Sequence, residues 1–264
     1  MRWNIIEKQW NVLLDGTKYN DDISLVSKIL HNRNINNIDE FLNPSAYNLI
    51  QYNKLINIDK AAQIVKNALI SKKHFKIFLD VDCDGCSSGA IMYRYLLNFT
   101  NNIDWIINQG KEHGLQKESM DNYCDTDILI IVDSLNSDMG LYKELLSKNI
   151  QIIVLDHHMI NNIIDTDAIT LVSSANQYPN KQLSGSGVTW KFCMYLDKVL
   201  NTNYALQYVD LATSGIISDM CDVSEDSMEN RYICDQGFKN IKNLGLKQIN
   251  GNYAFDSTSI SFGI

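Results

Sequence analysis

The chain has 264 residues, 45% of them hydrophobic and 20% charged, with a net charge of −8 at pH 7. These values describe an ordinary globular protein of one large domain or two small ones, with ample core. They argue against a broad electrostatic nucleic-acid surface, although an acidic protein can still carry a small basic groove. No run of about 18 apolar residues offers a membrane span, and Met1-Arg-Trp-Asn-Ile-Ile-Glu-Lys8 lacks the apolar region of a secretion signal. The expectation is a cytoplasmic protein whose cysteines, Cys83, Cys86, Cys124, Cys193, Cys221 and Cys234, stay reduced. Cys83 and Cys86 form a lone CxxC without a second CxxC or a thioredoxin-like context, and read as small fillers between acids.

In chain order, residues 1 to about 50 read as helical and irregular. Asp22 to Leu30 carries Ile23, Val26, Ile29 and Leu30 at helical spacing, and Asn37 to Leu42 is a second short helix closed by Asn43-Pro44. Asp59 is placed to cap a helix through Ala61, Ala62, Ile64, Val65, Ala68 and Leu69. Strands are expected over 76–81, 103–107, 128–133, 150–155 and 168–172, and helices over 87–98, 115–123, 138–148, 188–200, 204–217 and 227–242. Near-continuous apolar strands separated by amphipathic helices define an α/β fold, a mostly parallel sheet with helices on both faces, preceded by a short helical N-terminal segment. The expected division is a lead-in over 1–58 packed on the core and a main domain over 59–264. Ser259 to Ile264 reads as a strand-like apolar end without a polar tail, as if a following segment were missing or supplied elsewhere.

Three strand-like runs end in acids: Ile77 to Asp80, with Asp82, Asp84 and Gly85 following; Ile128 to Asp133; and Ile150 to Asp156, with His157 and His158 following. Strand tips are where an open α/β sheet builds its ligand site. Acids and imidazoles without nearby lysines suit a cation such as Mn²⁺, Mg²⁺ or Fe²⁺. Asp80, Asp82 and Asp84 stand at period two and can converge on a metal at a strand end; the alternative is a capped, solvated acidic turn. A calcium loop of the EF-hand type is excluded by Ile91 at the position that needs glutamate. Ser87 and Ser88 are expected to open a helix whose free N–H groups hold an anion such as phosphate. Asp133 could bridge two metals or cap a turn, because Ser134, Asn136, Ser137 and Asp138 are turn formers. In Asp156-His157-His158, one histidine can ligate metal while the other faces substrate, with Asp156 orienting a histidine from behind. Asp219, at the end of an apolar helix, is a fourth candidate acid. Gly185, Ser186 and Gly187 are either a phosphate loop or a helix start packed close to the sheet.

These segments, in this order, resemble the DHH phosphoesterase family, and within it the single-strand-specific exonucleases of the RecJ branch. The resemblance rests on Asp80-x-Asp82-x-Asp84-Gly85, Asp133, Asp156-His157-His158 and Ser218-Asp219. Flanking likeness lies at Phe41 to Ser45, Asp59 to Ala61, Tyr178-Pro179, Leu183 to Val188, Asn230-Arg231 and Gln236 to Phe238. It implies a hydrolase of phosphodiester bonds, a 5′-3′ exonuclease on single-stranded DNA serving repair and recombination. Its metal set would be Asp80, Asp82, Asp84, Asp133, His157 and Asp219, with Asp133 as the bridge, holding two Mn²⁺ or Mg²⁺ ions about 3.5–4 Å apart that activate a water and hold the leaving oxygen. His158 would contact the scissile phosphate. The alternatives are a family member acting on short oligonucleotides or cyclic dinucleotides, and a non-catalytic replication or repair scaffold. Two departures stand out. Gln109 replaces the branch's arginine, with Lys111 close by and His113-Gly114-Leu115 in place of Gly-Tyr-Gly-Leu. The family's second, DHHA1-type domain is also absent, so either the chain is a fragment or a partner protein or segment completes the cleft. Single-stranded nucleic acid is the expected substrate, and no membrane is involved.

Overall fold

The computed structural model describes residues 24–107, 114–135, 139–159, 169–175, 177–250 and 255–263. Gln109, Lys111, His113, Asn136, Ser137, Asp138 and the first residues of the elements expected at 22–30 and 168–172 lie outside the described residues. The chain divides into two compact units, 1–45 and 46–264. In the first, α1 (Leu25–Asn32) begins at Ser24, whose side chain accepts a hydrogen bond from the Ser27 amide. Helix α2 (Ile38–Leu42) begins at Asn37, which accepts one from Glu40.

The second unit is built on five parallel strands, β1 (Phe75–Leu79), β2 (Ile103–Ile107), β3 (Ile128–Val132), β4 (Gln151–Asp156) and β5 (Thr170–Ser173), in the order β2-β1-β3-β4-β5. Phe75, Ile77, Ile130, Val132, Ile153 and Leu155 point into one core with α3 (Ile58–Ile70), α4 (Cys83–Leu96), α6 (Gly185–Leu200), α7 (Val209–Ser218) and α8 (Met228–Lys239). Phe78, Leu129, Ile131, Ile152 and Val154 point into the other with α5 (Met139–Ser147). Strands covered on both faces have no polar side to show, which is why these runs are almost wholly apolar. The chain leaves β1 toward β2 on one side and returns to β3 on the other. The C-terminal ends of β1 and β3 therefore flank the point where strand order reverses, the crevice of such a sheet.

Several expected boundaries shift for local reasons. Helix α3 begins at Asn57, held at φ 62°, rather than at Asp59, which lies in its first turn. Residues Lys117–Tyr123 form a 3₁₀ helix, as do Ala205–Tyr208 ahead of α7. Helix α9 (Leu244–Asn250) is followed by α10 (Ser257–Gly263), where a strand was expected. Asp256 accepts a hydrogen bond from the Ser259 amide at 2.9 Å, and this cap outweighs the β-propensity of Thr258, Ile260 and Phe262.

Candidate metal centre

The first acidic segment does not continue β1. The strand stops at Leu79, and Asp82 becomes the N-cap of α4, its Oδ1 accepting from the Gly85 amide at 2.8 Å. From there the 3.6-residue helical period turns Asp84 inward. Its carboxylate is 3% exposed and accepts from the Gly185 amide at 2.7 Å and the Ser186 amide at 3.0 Å. The N-terminus of α6 is thus taken up by Asp84, which suits its positive end. This corrects the phosphate-loop expectation for Gly185, Ser186 and Gly187: all three are buried, and the Gly187 amide is bonded to Ser184 Oγ. Ser87 and Ser88 are corrected too. They lie in the second turn of α4, where amides bond within the helix, and both side chains are buried.

Asp133 follows β3 with φ 55°, a left-handed backbone that a non-glycine residue adopts at a cost of order 1 kcal/mol or more. Its amide bonds Leu155 O at 2.9 Å, which seats it against β4. Asp133 Oδ1 is buried and accepts no hydrogen bond. The Nε2 of His157 lies 3.2 Å from that oxygen, 3.8 Å from Asp84 Oδ2 and 3.7 Å from Asp219 Oδ2. Asp219 is the C-cap of α7, so the residue after β3, the first turn of α4 and the end of α7 converge on the imidazole that follows β4. Potential ligand atoms form two groups that share His157: Asp84, His157 and Asp219 in one; Asp133, Asp156, His157 and His158 in the other. Asp80 and Asp82 belong to neither group. Asp80 is buried with its Oδ1 accepting from the Val81 amide at 2.7 Å, and Asp82 stands exposed at the rim.

Asp156 is fully buried and acts behind the histidines. Its Oδ1 accepts from the His158 amide at 2.8 Å and from His158 Nδ1 at 2.7 Å, while Oδ2 accepts from the Leu135 amide just past Asp133. Burial disfavours its charge, but the bonds and charge of His158 outweigh burial and hold its carboxyl below the ordinary range. The same pairing raises His158 to about 9, so the half-exposed ring is an imidazolium at neutral pH. Asp133 moves the other way. Desolvation, followed by the charges of Asp84, Asp156 and Asp82, pushes it up to about 11. Burial raises Asp84 as well.

Glycines make this crowding possible. A Cβ at Gly185 would collide with the Asp133 carboxylate, and one at Gly215 with Asp84 Oδ1 and Ser186 Oγ. A third group, His74, Asp104 and Asp125, lies at the opposite ends of the strands. Lys76 Nζ pairs with Asp125 at 3.0 Å and Asp104 at 3.4 Å, which already supplies the positive charge there.

The fold and this centre define a doubly wound α/β domain with a carboxylate-imidazole site at its switch point. The donor set is hard oxygen with imidazole, and the unbonded, disfavoured Asp133 oxygen is what a divalent cation would relieve. The model of the DHH family, N-terminal domain, matches residues 74–216, and the chain belongs to that family. Over 239 residues it is 34% identical to YorK of Bacillus subtilis, a prophage-derived protein provisionally named a single-strand DNA-specific exonuclease; the match covers 90% of this chain and 40% of YorK. It is 24% identical to the single-stranded-DNA-specific exonuclease RecJ of the same organism, covering 94% of this chain and 32% of RecJ. The chain therefore spans less than half the length of these relatives. Its fold matches RecJ from Thermus thermophilus in complex with Mn²⁺ with a TM-score of 0.73 at 24% identity, over 85% of this chain and 33% of that one. Another solved structure, exonuclease RecJ bound to manganese, matches with a TM-score of 0.72 at 24% identity, over 79% of this chain and 55% of that one.

Proposed function

We propose that the chain is the catalytic domain of a metal-dependent exonuclease that hydrolyses phosphodiester bonds of single-stranded DNA. One observation carries the reading: the buried, unbonded Asp133 Oδ1 faces His157 Nε2 at 3.2 Å, and Asp84 Oδ2 and Asp219 Oδ2 lie 3.8 and 3.7 Å from the same nitrogen. The likeness to YorK and RecJ supports the substrate class.

Asp84, Asp133, His157 and Asp219 would hold the metal, with Asp133 as the acid that would serve both ions and Asp82 at the open rim. Two bound Mn²⁺ or Mg²⁺ ions would supply Lewis-acid polarisation of phosphoryl oxygens and a lowered pKa for the attacking water. The residues of the chain do the remainder. His158, kept protonated by Asp156, donates from its free ring nitrogen to a phosphate oxygen. Asp156 fixes both the ring and the turn after Asp133.

The test is hydrolysis of end-labelled single-stranded DNA with Mn²⁺, against duplex DNA, a dinucleotide and a chelator control. Mn²⁺-dependent release of nucleotides from single strands, exceeding turnover of the dinucleotide, is expected. A faster dinucleotide reaction overturns the polymer assignment, and no hydrolysis of any of them overturns the enzymatic one.

A further inference from the structure

Asn230, in the first turn of α8, is fully buried yet belongs to neither ligand group. Its Nδ2 donates to Gln182 O at 2.6 Å and to Asp222 O at 2.9 Å, and its Oδ1 accepts from Asn180 Nδ2 at 2.9 Å. One amide therefore ties together two segments far apart in the chain. The first, Asn180 to Ser184, leads into the α6 amides that hold Asp84. The second, Asp219 to Asp222, leaves the end of α7. Asp84 and Asp219 form one of the two groups that share His157, so the span from Gln182 O to Asp222 O links the segment that seats Asp84 to the segment that follows Asp219.

The neighbouring side chain anchors the clamp. Glu229 is 2% exposed and accepts from Tyr178 Oη at 2.8 Å, Asn180 Nδ2 at 3.1 Å and Lys191 Nζ at 2.5 Å, and from the Ile50 amide at 3.0 Å. Asn180 thus bonds both residues of the Glu229-Asn230 pair, and the first turn of α8 is held rigidly against the α6 lead-in. A backbone carbonyl cannot be aimed by its own sequence. Two carbonyls held by one carboxamide can, because the two N–H bonds of that amide diverge at a fixed angle.

We infer that Asn230 is a positioning residue that sets the Asp84–Asp219 gap and so builds the cation subsite these two acids form with His157. This rests on the metal-site reading above. Removing the amide frees the Asp219 segment from the α6 lead-in, and the Asp84–His157–Asp219 group loses its geometry while the Asp133 group keeps its own ties through Leu155 and Asp156. Glu229→Gln is the control. It disturbs the same helix turn and takes the carboxylate charge from Lys191, which still donates to Ile50 O, but it keeps the Asn230 bonds to Gln182 and Asp222.

The experiment is Mn²⁺ titration of the metal-free chain, counting bound ions by electron paramagnetic resonance of the free ion, for wild type, Asn230→Ala and Glu229→Gln. Wild type is expected to bind two ions. Asn230→Ala should keep one at near wild-type affinity and bind the other about tenfold or more weakly. Glu229→Gln should keep both despite a lower melting temperature. Two unchanged sites in Asn230→Ala overturn the inference, and so does equal weakening in Glu229→Gln. A wild type that binds no Mn²⁺ overturns the metal-site reading itself. If Asn230→Ala does not fold, Asn230→Ser, which keeps one donor, is read by the same count, and two unweakened sites there likewise overturn the inference.

Discussion

Gly215 on α7 lies so close to Asp84 that a methyl group there would occupy the place of the Asp84 carboxylate. The buried acid and the missing side chain are thus one feature. Gly215→Ala must push Asp84 off the α6 amides or open the α4–α7 contact, and such overpacking typically costs about 1–3 kcal/mol. The variant should melt several degrees lower and bind Mn²⁺ at least tenfold more weakly. A variant with unchanged Mn²⁺ affinity would show that Asp84 need not be seated by α6.

Asp133 gives the clearest pH signature. Its carboxyl titrates near 4 in the unfolded chain and at about 11 in the folded metal-free protein. A raised carboxyl stabilises the fold least at high pH: its cost begins as pH rises above about 4 and grows until the folded group ionises as well. Asp133→Asn removes that cost. The metal-free variant should be more stable than wild type at pH 8, by at most about 5 kcal/mol (about 1.4 kcal/mol for each of the roughly four pH units above 4), with the gap closing toward pH 4. Added Mn²⁺ should stabilise wild type more than the variant, which keeps only the Asp84, His157 and Asp219 group. Denaturant titrations at the two pH values, with and without Mn²⁺, make the comparison. A variant less stable than wild type at pH 8 would contradict the burial argument.

His158 and Asp156 separate binding from turnover. Because the pairing lifts His158 to about 9, its contribution to stability is complete below about 6.5 and is lost as pH rises through about 9. His158→Ala should lower kcat about 10²–10⁴-fold while both Mn²⁺ ions still bind. Loss of an ion in that variant would make His158 a ligand. Asp156→Asn should return the His158 titration toward its ordinary range, measurable by NMR of the ring protons. An unmoved titration would mean that Asp156 is not what holds the charge.

Much of this centre is legible in the sequence because strand tips are. The runs ending at Asp80, Asp133 and Asp156 are almost wholly apolar, the parallel register sets their ends side by side, and the chemistry follows from where the chain leaves the sheet. Local capping was harder to read. Asp80, Asp82 and Asp84 look like one period-two row, but Asp82 caps α4 and so sends Asp84 inward by the helical period, away from Asp80. Ser87 and Ser88 then fall inside the helix they were expected to open. Gly185 to Gly187 has the composition of an anion loop, and it does hold an anion, but that anion is the Asp84 side chain. Asn230 carries no local signal, because its partners lie eight and about fifty residues away.

The most direct measurement is anomalous diffraction at the manganese edge from crystals of the chain soaked in Mn²⁺. The account predicts a peak within about 2.0–2.3 Å of both Asp133 Oδ1 and His157 Nε2, and a second within reach of the Asp84 and Asp219 carboxylates. Manganese bound only at the His74, Asp104 and Asp125 group, or at none of these residues, would contradict it.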